Sequence, residues 1–403
     1  MSAMTLLVTN VTLIDGTGAD PVENAAIAIE GSRITYAGRA SDAPRNVATT
    51  IDGRRRRAVP GLINAHTHIT LNELDLVTPR VYYPEGENLG ILQAASRARR
   101  ALENGITSLR DCNAPGYGTI ALRTAFSKKL LSGPRLFVSG CAICATGGHM
   151  YGASFEADGA DEVRKGVRKQ VKFGANFIKL VAEGSTTAGT FGEPNLQLST
   201  SEMAAGVEVA HRLSKKVTAH VVTREGAREA LAAGVDCLEH GYDLPEDVIA
   251  TMLGRSTWVV PTLSVHDSIL RNGRDAGWTR ERLKISERVL ETAMASAGRA
   301  FRAGVNVACG TDAGSPFNPV WDLVPELRLL CQAGLTPGQA LEAATRRNAE
   351  LIGVASELGT LEPGKFADIL LVEGDPLRDV GALCAPSLVI KDGDVVCERP
   401  SQS

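Results

Sequence analysis

A chain of 403 residues is long enough for one large domain and a smaller companion, and 44% hydrophobic with 22% charged residues is an ordinary globular composition. A formal net charge of −3 argues against nucleic acid or an anionic membrane surface as a partner, and leaves small molecules and copies of the same chain. The opening ten residues lack the basic start and apolar core of a signal peptide, and no apolar run nears the ~20 residues that span a bilayer.

Eight cysteines scattered through the chain read as reduced thiols, so the expected compartment is the cytoplasm. Cys141 and Cys144 form a C-x-x-C, but no second pair completes a zinc knuckle.

Residues 4–58 are short β-like runs punctuated by turn residues. Leu6-Leu7-Val8 and Val11-Thr12-Leu13-Ile14 lead to Asp15-Gly16, Ala26-Ile27-Ala28-Ile29 leads to Glu30-Gly31, and Arg33–Gly38 follows. Such runs ending in Asp-Gly or Glu-Gly predict an antiparallel sheet. Arg54–Arg57 is most simply a solvated lead-in.

The middle of the chain alternates β-like runs with helical stretches, the pattern of a parallel sheet with crossover helices. Eight strands are predicted, near Ala58–His66, Ile106–Asp111, Leu136–Ser139, Phe177–Val181, Val217–His220, Cys237–His240, Trp258–Leu263 and Val305–Thr311. Helices are predicted at Asn88–Asn104, Asp161–Phe173, Ser201–Leu213 and Arg224–Ala233. The fold class expected is α/β, a (β/α)8 TIM barrel, because eight such units fit its length and no G-x-G-x-x-G follows the first strand to favour an open sheet.

From about Gly359 the β-like style returns, with Phe366–Val372 and Leu388–Lys391 before Asp392-Gly393. Neither end buries a sheet face alone, so residues 1–58 and 356–403 are expected to form one small β-sandwich, with the barrel over residues 59–355.

The chemistry-bearing residues fall at the C-terminal ends of the predicted strands, where barrel active sites lie. His66 and His68 sit two apart at the end of the first strand, and period-2 geometry sends both side chains to one side. His220 ends the fifth strand, His240 the sixth, and Asp312 closes the eighth in Gly310-Thr311-Asp312-Ala313-Gly314. Each alone has an ordinary reading, a strand-end histidine or a helix cap. Lys179 ends the apolar run Phe177-Ile178-Lys179-Leu180-Val181, where an unpaired ammonium is costly. One reading is a snorkelling or salt-bridged lysine. The other is that burial favours the neutral amine, which reacts with carbon dioxide to give an anionic carbamate able to bridge two cations.

The chain also resembles the amidohydrolase superfamily, in particular its binuclear, lysine-carboxylated branch of imidazolonepropionase-like and Xaa-Pro dipeptidase-like amide hydrolases. The motifs carrying the resemblance run nearly end to end: Val11–Gly16, Val59–His68, Thr107–Asp111, Gly133–Leu136, Thr146–His149, Ile178-Lys179, Glu239–Gly241, Gly310–Gly314 and Gly359–Ile369. The resemblance implies two divalent metal ions, zinc by default, one on His66, His68, Asp312 and carboxylated Lys179, the other on the same lysine with His220 and His240.

It further implies that metal-activated hydroxide attacks a small-molecule amide, an N-acyl amino acid or a dipeptide, with Asp312 moving protons and His149 as a catalytic and substrate contact. Tyr242 and Arg224 are further substrate-binding candidates, and a homo-oligomer is expected by the same analogy. Where peptidase-like relatives often carry a Tyr two residues after the fifth-strand His, this chain has Val222, which leaves dipeptide specificity open. Deaminase-type sites usually carry a Glu three residues after that His, and here Thr223 stands there. Carbamates, ureas, esters or cyclic amides on the same site, and a catalytically inactive ligand-binding barrel, are the other readings.

Overall fold

The computed structural model describes residues 5–71, 87–186 and 195–399. The chain opens with β1 (Thr5–Leu13), β2 (Val22–Glu30), β3 (Arg33–Arg39), β4 (Thr49–Asp52) and β5 (Arg57–Pro60). Then β6 (Leu62–Thr67), α1 (Glu87–Glu103), β7 (Ile106–Asp111), α2 (Gly118–Ser127) and β8 (Arg135–Val138) begin the alternating region. A short insertion follows, β9 (Ile143–Cys144) and β10 (Phe155–Glu156), and then α3 (Ala160–Phe173), β11 (Ile178–Val181), α4 (Thr200–Arg212), β12 (Val217–Val221) and α5 (Arg224–Ala233). The region continues with β13 (Cys237–His240), α6 (Glu246–Arg255), β14 (Trp258–Val260), α7 (Ser264–Asn272), α8 (Arg280–Ala303) and β15 (Asn306–Val307). Helices α9 (Val324–Ala333), α10 (Pro337–Ala343) and α11 (Arg346–Ile352) lead to β16 (Ile369–Val372), β17 (Leu388–Lys391) and β18 (Asp394–Glu398).

Strands from both chain ends share one eight-stranded sheet, ordered β18-β17-β16-β5-β1-β2-β3, with β4 also on β1. The Asp-Gly signal holds for the last hairpin: Asp392 and Gly393 have φ +51° and +81°, the pair of left-handed residues that a two-residue turn needs. The sheet is not wholly antiparallel, however. Both β4 and β5 run parallel to β1, because the chain crosses back after the β2–β3 hairpin before pairing again. Val8, Ile27 and Ile34 from one limb share a buried cluster with Ile369, Leu388 and Ile390 from the other. Burying each such side chain contributes about 1.5–3 kcal/mol, which neither chain end would gain alone.

The predicted first strand, Ala58–His66, divides at Gly61. Its first half is β5, which pairs with β1 and β16 in the terminal sheet, and its second half is β6, which pairs with β7. One apolar run thus serves two sheets, because a strand buried on both faces reads the same wherever its partners lie.

All eight predicted strands of the middle region are present and parallel, in two arcs. One is β6-β7-β8; the other is β10-β9-β11-β12-β13-β14-β15. The arcs do not form one continuous ladder among the described residues, and β15 is only two residues long, shorter than its predicted span. Backbone bonds nevertheless join them at both sides. Asn176 N–H donates to the Val138 carbonyl at 2.8 Å, Ala65 N–H to Cys309 at 3.0 Å, and Asp312 N–H to His66 at 2.9 Å. No helix among the described residues is long and apolar enough to cross a membrane.

Candidate functional site

Six of the chain's seven histidines gather where the parallel strands end. His66 and His68 leave β6 with ring centroids 5.3 Å apart, His240 lies 5.0 Å from His66, and His220 lies 4.5 Å from His240. His149 lies 4.6 Å from His220, and His266 joins through Tyr242, 5.3 Å from its ring. Only His211 stays apart, on the surface against Asp236.

Backbone conformation explains how neighbouring strand residues reach one place. Alternation along β13 would send Glu239 and His240 to opposite faces. Both reach the cluster because His240 takes the left-handed conformation, φ +72°. Its Nδ1 is held 2.7 Å from Thr262 Oγ1, on another left-handed residue, φ +51°. Asp312 is left-handed too, φ +55°. Such non-glycine conformations cost about 1–3 kcal/mol and persist where surrounding contacts enforce them, often at functional sites. The close approach of the eighth strand requires Gly310, since a Cβ there would come within 2.7 Å of the His66 backbone nitrogen.

The donor atoms are sorted by their hydrogen bonds. Asp312 Oδ1 lies 3.0 Å from His68 Nε2 and 3.3 Å from His66 Nε2. His66 Nδ1 is 2.6 Å from Glu239 Oε2, and His68 Nδ1 faces the Asn113 carbonyl at 3.4 Å. His220 is turned the other way, Nε2 3.3 Å from the Gly184 carbonyl, which leaves Nδ1 available.

Lys179, only 2% exposed, has no hydrogen-bond partner for its Nζ among the described residues. Burial and the nearby lysine charge push His66 and His149 down to about 4 and His220 and His240 well below the ordinary imidazole range. Neutral imidazoles are ligands rather than cations. Burial opposes ionisation of Asp312, but its neighbours His66, His68 and Lys179 outweigh it and hold the carboxyl below its usual range.

This donor set fits divalent cations. The ligand atoms of His66, His68 and Asp312 lie within 4.8 Å of one another, His66 Nε2 and Lys179 Nζ are buried without hydrogen-bond partners among the described residues, and burial favours the neutral form of His66, His220 and His240. Zinc and other first-row metals accept such nitrogen and carboxylate donors.

The substrate-side candidates divide. His149 is partly exposed with its ring beside His220, and its backbone N–H donates to Gln197 Oε1 at 2.9 Å. Tyr242 is buried, its hydroxyl 3.3 Å from Thr262 Oγ1, and burial pushes the phenol up. Arg224, half exposed at the start of α5, is paired with Asp243, its Nε and Nη2 at 2.9 and 2.7 Å. A substrate carboxylate would have to compete with that ion pair. Val222 is buried, and its N–H donates to Glu183, whose carboxylate also takes the Thr223 N–H at 2.8 Å and hydroxyl at 2.6 Å. That carboxylate holds the turn between β12 and α5, and so the strand end that carries His220.

Sequence reasoning missed Glu239, Arg110 and His266 as individual site residues. Arg110 in β7 and Glu239 in β13 are, like Lys179, charged residues inside short β runs. His266 carried no strand-end signal, because it lies in the first turn of α7. It is 1% exposed, its Nε2 is 3.1 Å from Thr186 Oγ1, and burial pushes it down to about 4.

His266 has a consequence for stability. Above pH 6.5 the ring is neutral folded and unfolded; between 6.5 and 4 only the unfolded chain takes up the proton. Stability is therefore complete above pH 6.5 and falls with pH towards 4, by about 3 kcal/mol from this one residue. In denaturant unfolding from pH 7.5 to 4.5, His266→Gln should show a shallower pH slope than the parent, by about one proton. Equal slopes would refute the assignment.

A model of the amidohydrolase family matches residues 57–396. Ochratoxinase from Aspergillus niger is 30% identical over 412 aligned residues, 94% of this chain and 83% of that one. The crystal structure of A. niger ochratoxinase is similar with a TM-score of 0.87 at 27% identity, covering 100% of this chain and 98% of that one. The crystal structure of a Xaa-Pro dipeptidase with methionine bound in its active site gives a TM-score of 0.89 at 27% identity, covering 97% and 99%. Imidazolonepropionase from Rhizorhabdus wittichii is 26% identical over 384 residues, 88% of this chain and 90% of that one. With the family model spanning most of its length and a 30% identical relative aligned nearly end to end, the chain belongs to the amidohydrolase family.

Proposed function

We propose that this chain is a binuclear metal-dependent hydrolase of small amides, cleaving a C–N bond in an N-acyl amino acid, a dipeptide or a related compound. In this reading the two arcs close into a (β/α)8 barrel over residues 59–355, and residues 1–58 and 356–403 form the small β-domain. The observation that carries it is Lys179: a buried amine with no hydrogen-bond partner among the described residues, whose charge bears on His66, His149, His220 and His240 together. As a carbamate it would gain ligand oxygens and lose the cost of an unpaired buried charge. One cation would be held by His66, His68, Asp312 and Lys179, the other by His220, His240 and Lys179.

The chemistry such cations supply when bound is acidification of water and polarisation of a carbonyl. The chain's own groups do the rest. Asp312, ionised and 17% exposed, takes the proton of the attacking water and delivers it to the departing nitrogen. His149, neutral beside His220, donates a hydrogen bond to the carbonyl oxygen as charge develops there. The names of the relatives, a dipeptidase and an ochratoxinase among them, support hydrolysis and leave the acyl and leaving groups open.

The test is metal analysis with a hydrolysis screen over N-acyl amino acids, Xaa-Pro and other dipeptides, carbamates and lactams. The expected result is about two metal equivalents per chain and turnover of one amide class, lost on chelation and restored by zinc. A metal-free chain that hydrolyses nothing in the screen would leave only the ligand-binding barrel.

A further inference from the structure

Glu239 stands outside the ligand set, yet three polar groups converge on its carboxylate. His66 Nδ1 lies 2.6 Å from Oε2, Arg110 Nη1 donates to Oε1 at 2.7 Å, and the Thr218 hydroxyl donates to Oε1 as well. None of the four residues is more than 5% exposed. The other ligand-candidate imidazoles are held by neutral groups: Thr262 for His240, the Gly184 carbonyl for His220 and the Asn113 carbonyl for His68. Apart from the shared ligand candidate Asp312, His66 alone among these four pairs with a carboxylate. Both His66 nitrogens face a carboxylate, but only Nδ1 makes a hydrogen bond, 2.6 Å to Glu239 against 3.3 Å from Nε2 to Asp312, so the proton belongs on Nδ1 and the lone pair on Nε2.

We propose that Glu239 is a positioning residue: braced by Arg110 and Thr218, it fixes His66 in the Nδ1-protonated tautomer and aims Nε2 at the cation shared with His68 and Asp312. The inference rests on the metal-centre reading above. A charge-assisted bond of this kind also raises the basicity of the ligand nitrogen. A rival role, with Glu239 itself a ligand together with His66 and Cys112, meets an electrostatic obstacle. Those three donor atoms lie within 4.8 Å of one another, but the Arg110 guanidinium already sits 2.7 Å from Glu239 and 3.9 Å from the Cys112 sulfur. A second cation in that buried space would be repelled.

Glu239→Gln keeps the side-chain shape and removes the charge. Because it strands Arg110, the paired change Arg110→Met with Glu239→Gln, which leaves no unpaired ion where this pair stood, is the second variant. Metal affinity is measured by chelator competition, with kcat and KM at limiting and saturating zinc. The expected result is about 10–100-fold weaker binding of one of two metals, with kcat largely restored by excess zinc, which a loss of fold would not permit. Folded variants whose affinities stay within about threefold of the parent would overturn the proposal.

If neither variant folds, histidine-selective 15N spectra of the metal-free parent decide. A ring protonated at Nδ1 and absent from His66→Ala supports the proposal, and protonation at Nε2 overturns it. A parent chain that holds no metal fails the functional reading. A parent that holds two, with His66 protonated at Nε2, fails only this inference.

Discussion

Lys179→Ala is expected to lower kcat/KM by at least about 10³-fold, about 4 kcal/mol of transition-state stabilisation, with the fold kept. The amine makes no hydrogen bond among the described residues, so its removal strands no partner there. What disappears is the one group that can serve both proposed cations. Metal content should therefore fall below two equivalents, and a carbon dioxide adduct in the native mass spectrum of the parent should be missing from the variant. Lys179→Met, closer in volume, should behave alike; parent-like turnover in either would remove Lys179 from the mechanism.

Asp312→Asn is expected to lower kcat by about 10²–10⁴-fold with a smaller change in KM. Asparagine keeps the shape and one oxygen for His66 and His68 but cannot accept a proton. The carboxylate contacts both imidazoles and is 17% exposed, against 0% for the His66 side chain, so it is the group of that trio that water reaches most readily. The sign with pH follows from its depressed pKa. The residue acts as a base only when ionised, so activity in the parent is full at neutral pH and falls as acid protonates it, with the limb below the ordinary carboxylate range. A pH–rate profile of the variant should lack that limb. Retention of the limb with parent-like kcat would reassign the proton transfer.

The local patterns that survived folding were those with short-range physical causes. The helices at Asp161–Phe173 and Arg224–Ala233 match α3 and α5 to within a residue, because apolar periodicity and glycine stops act along a single segment. The run at Ala58–His66 reads as one strand but folds as two, since pairing partners in two sheets leave no mark on an apolar segment.

The ligand candidates divide the same way. His66, His68, Lys179, His220, His240 and Asp312 were legible from the amino-acid sequence alone, because strand ends are read from pattern and the residue types are those that bind metals. What joins them was decided by tertiary structure. The left-handed turns at His240, Thr262 and Asp312, the Glu239–Arg110 pair behind His66, and the arrival of His266 from a helix all depend on contacts between residues far apart in the chain. A sequence specifies which chemical groups stand at the end of each strand. Which nitrogen each imidazole offers is set by the partner across the cluster, and that partner is known only once the strands lie side by side.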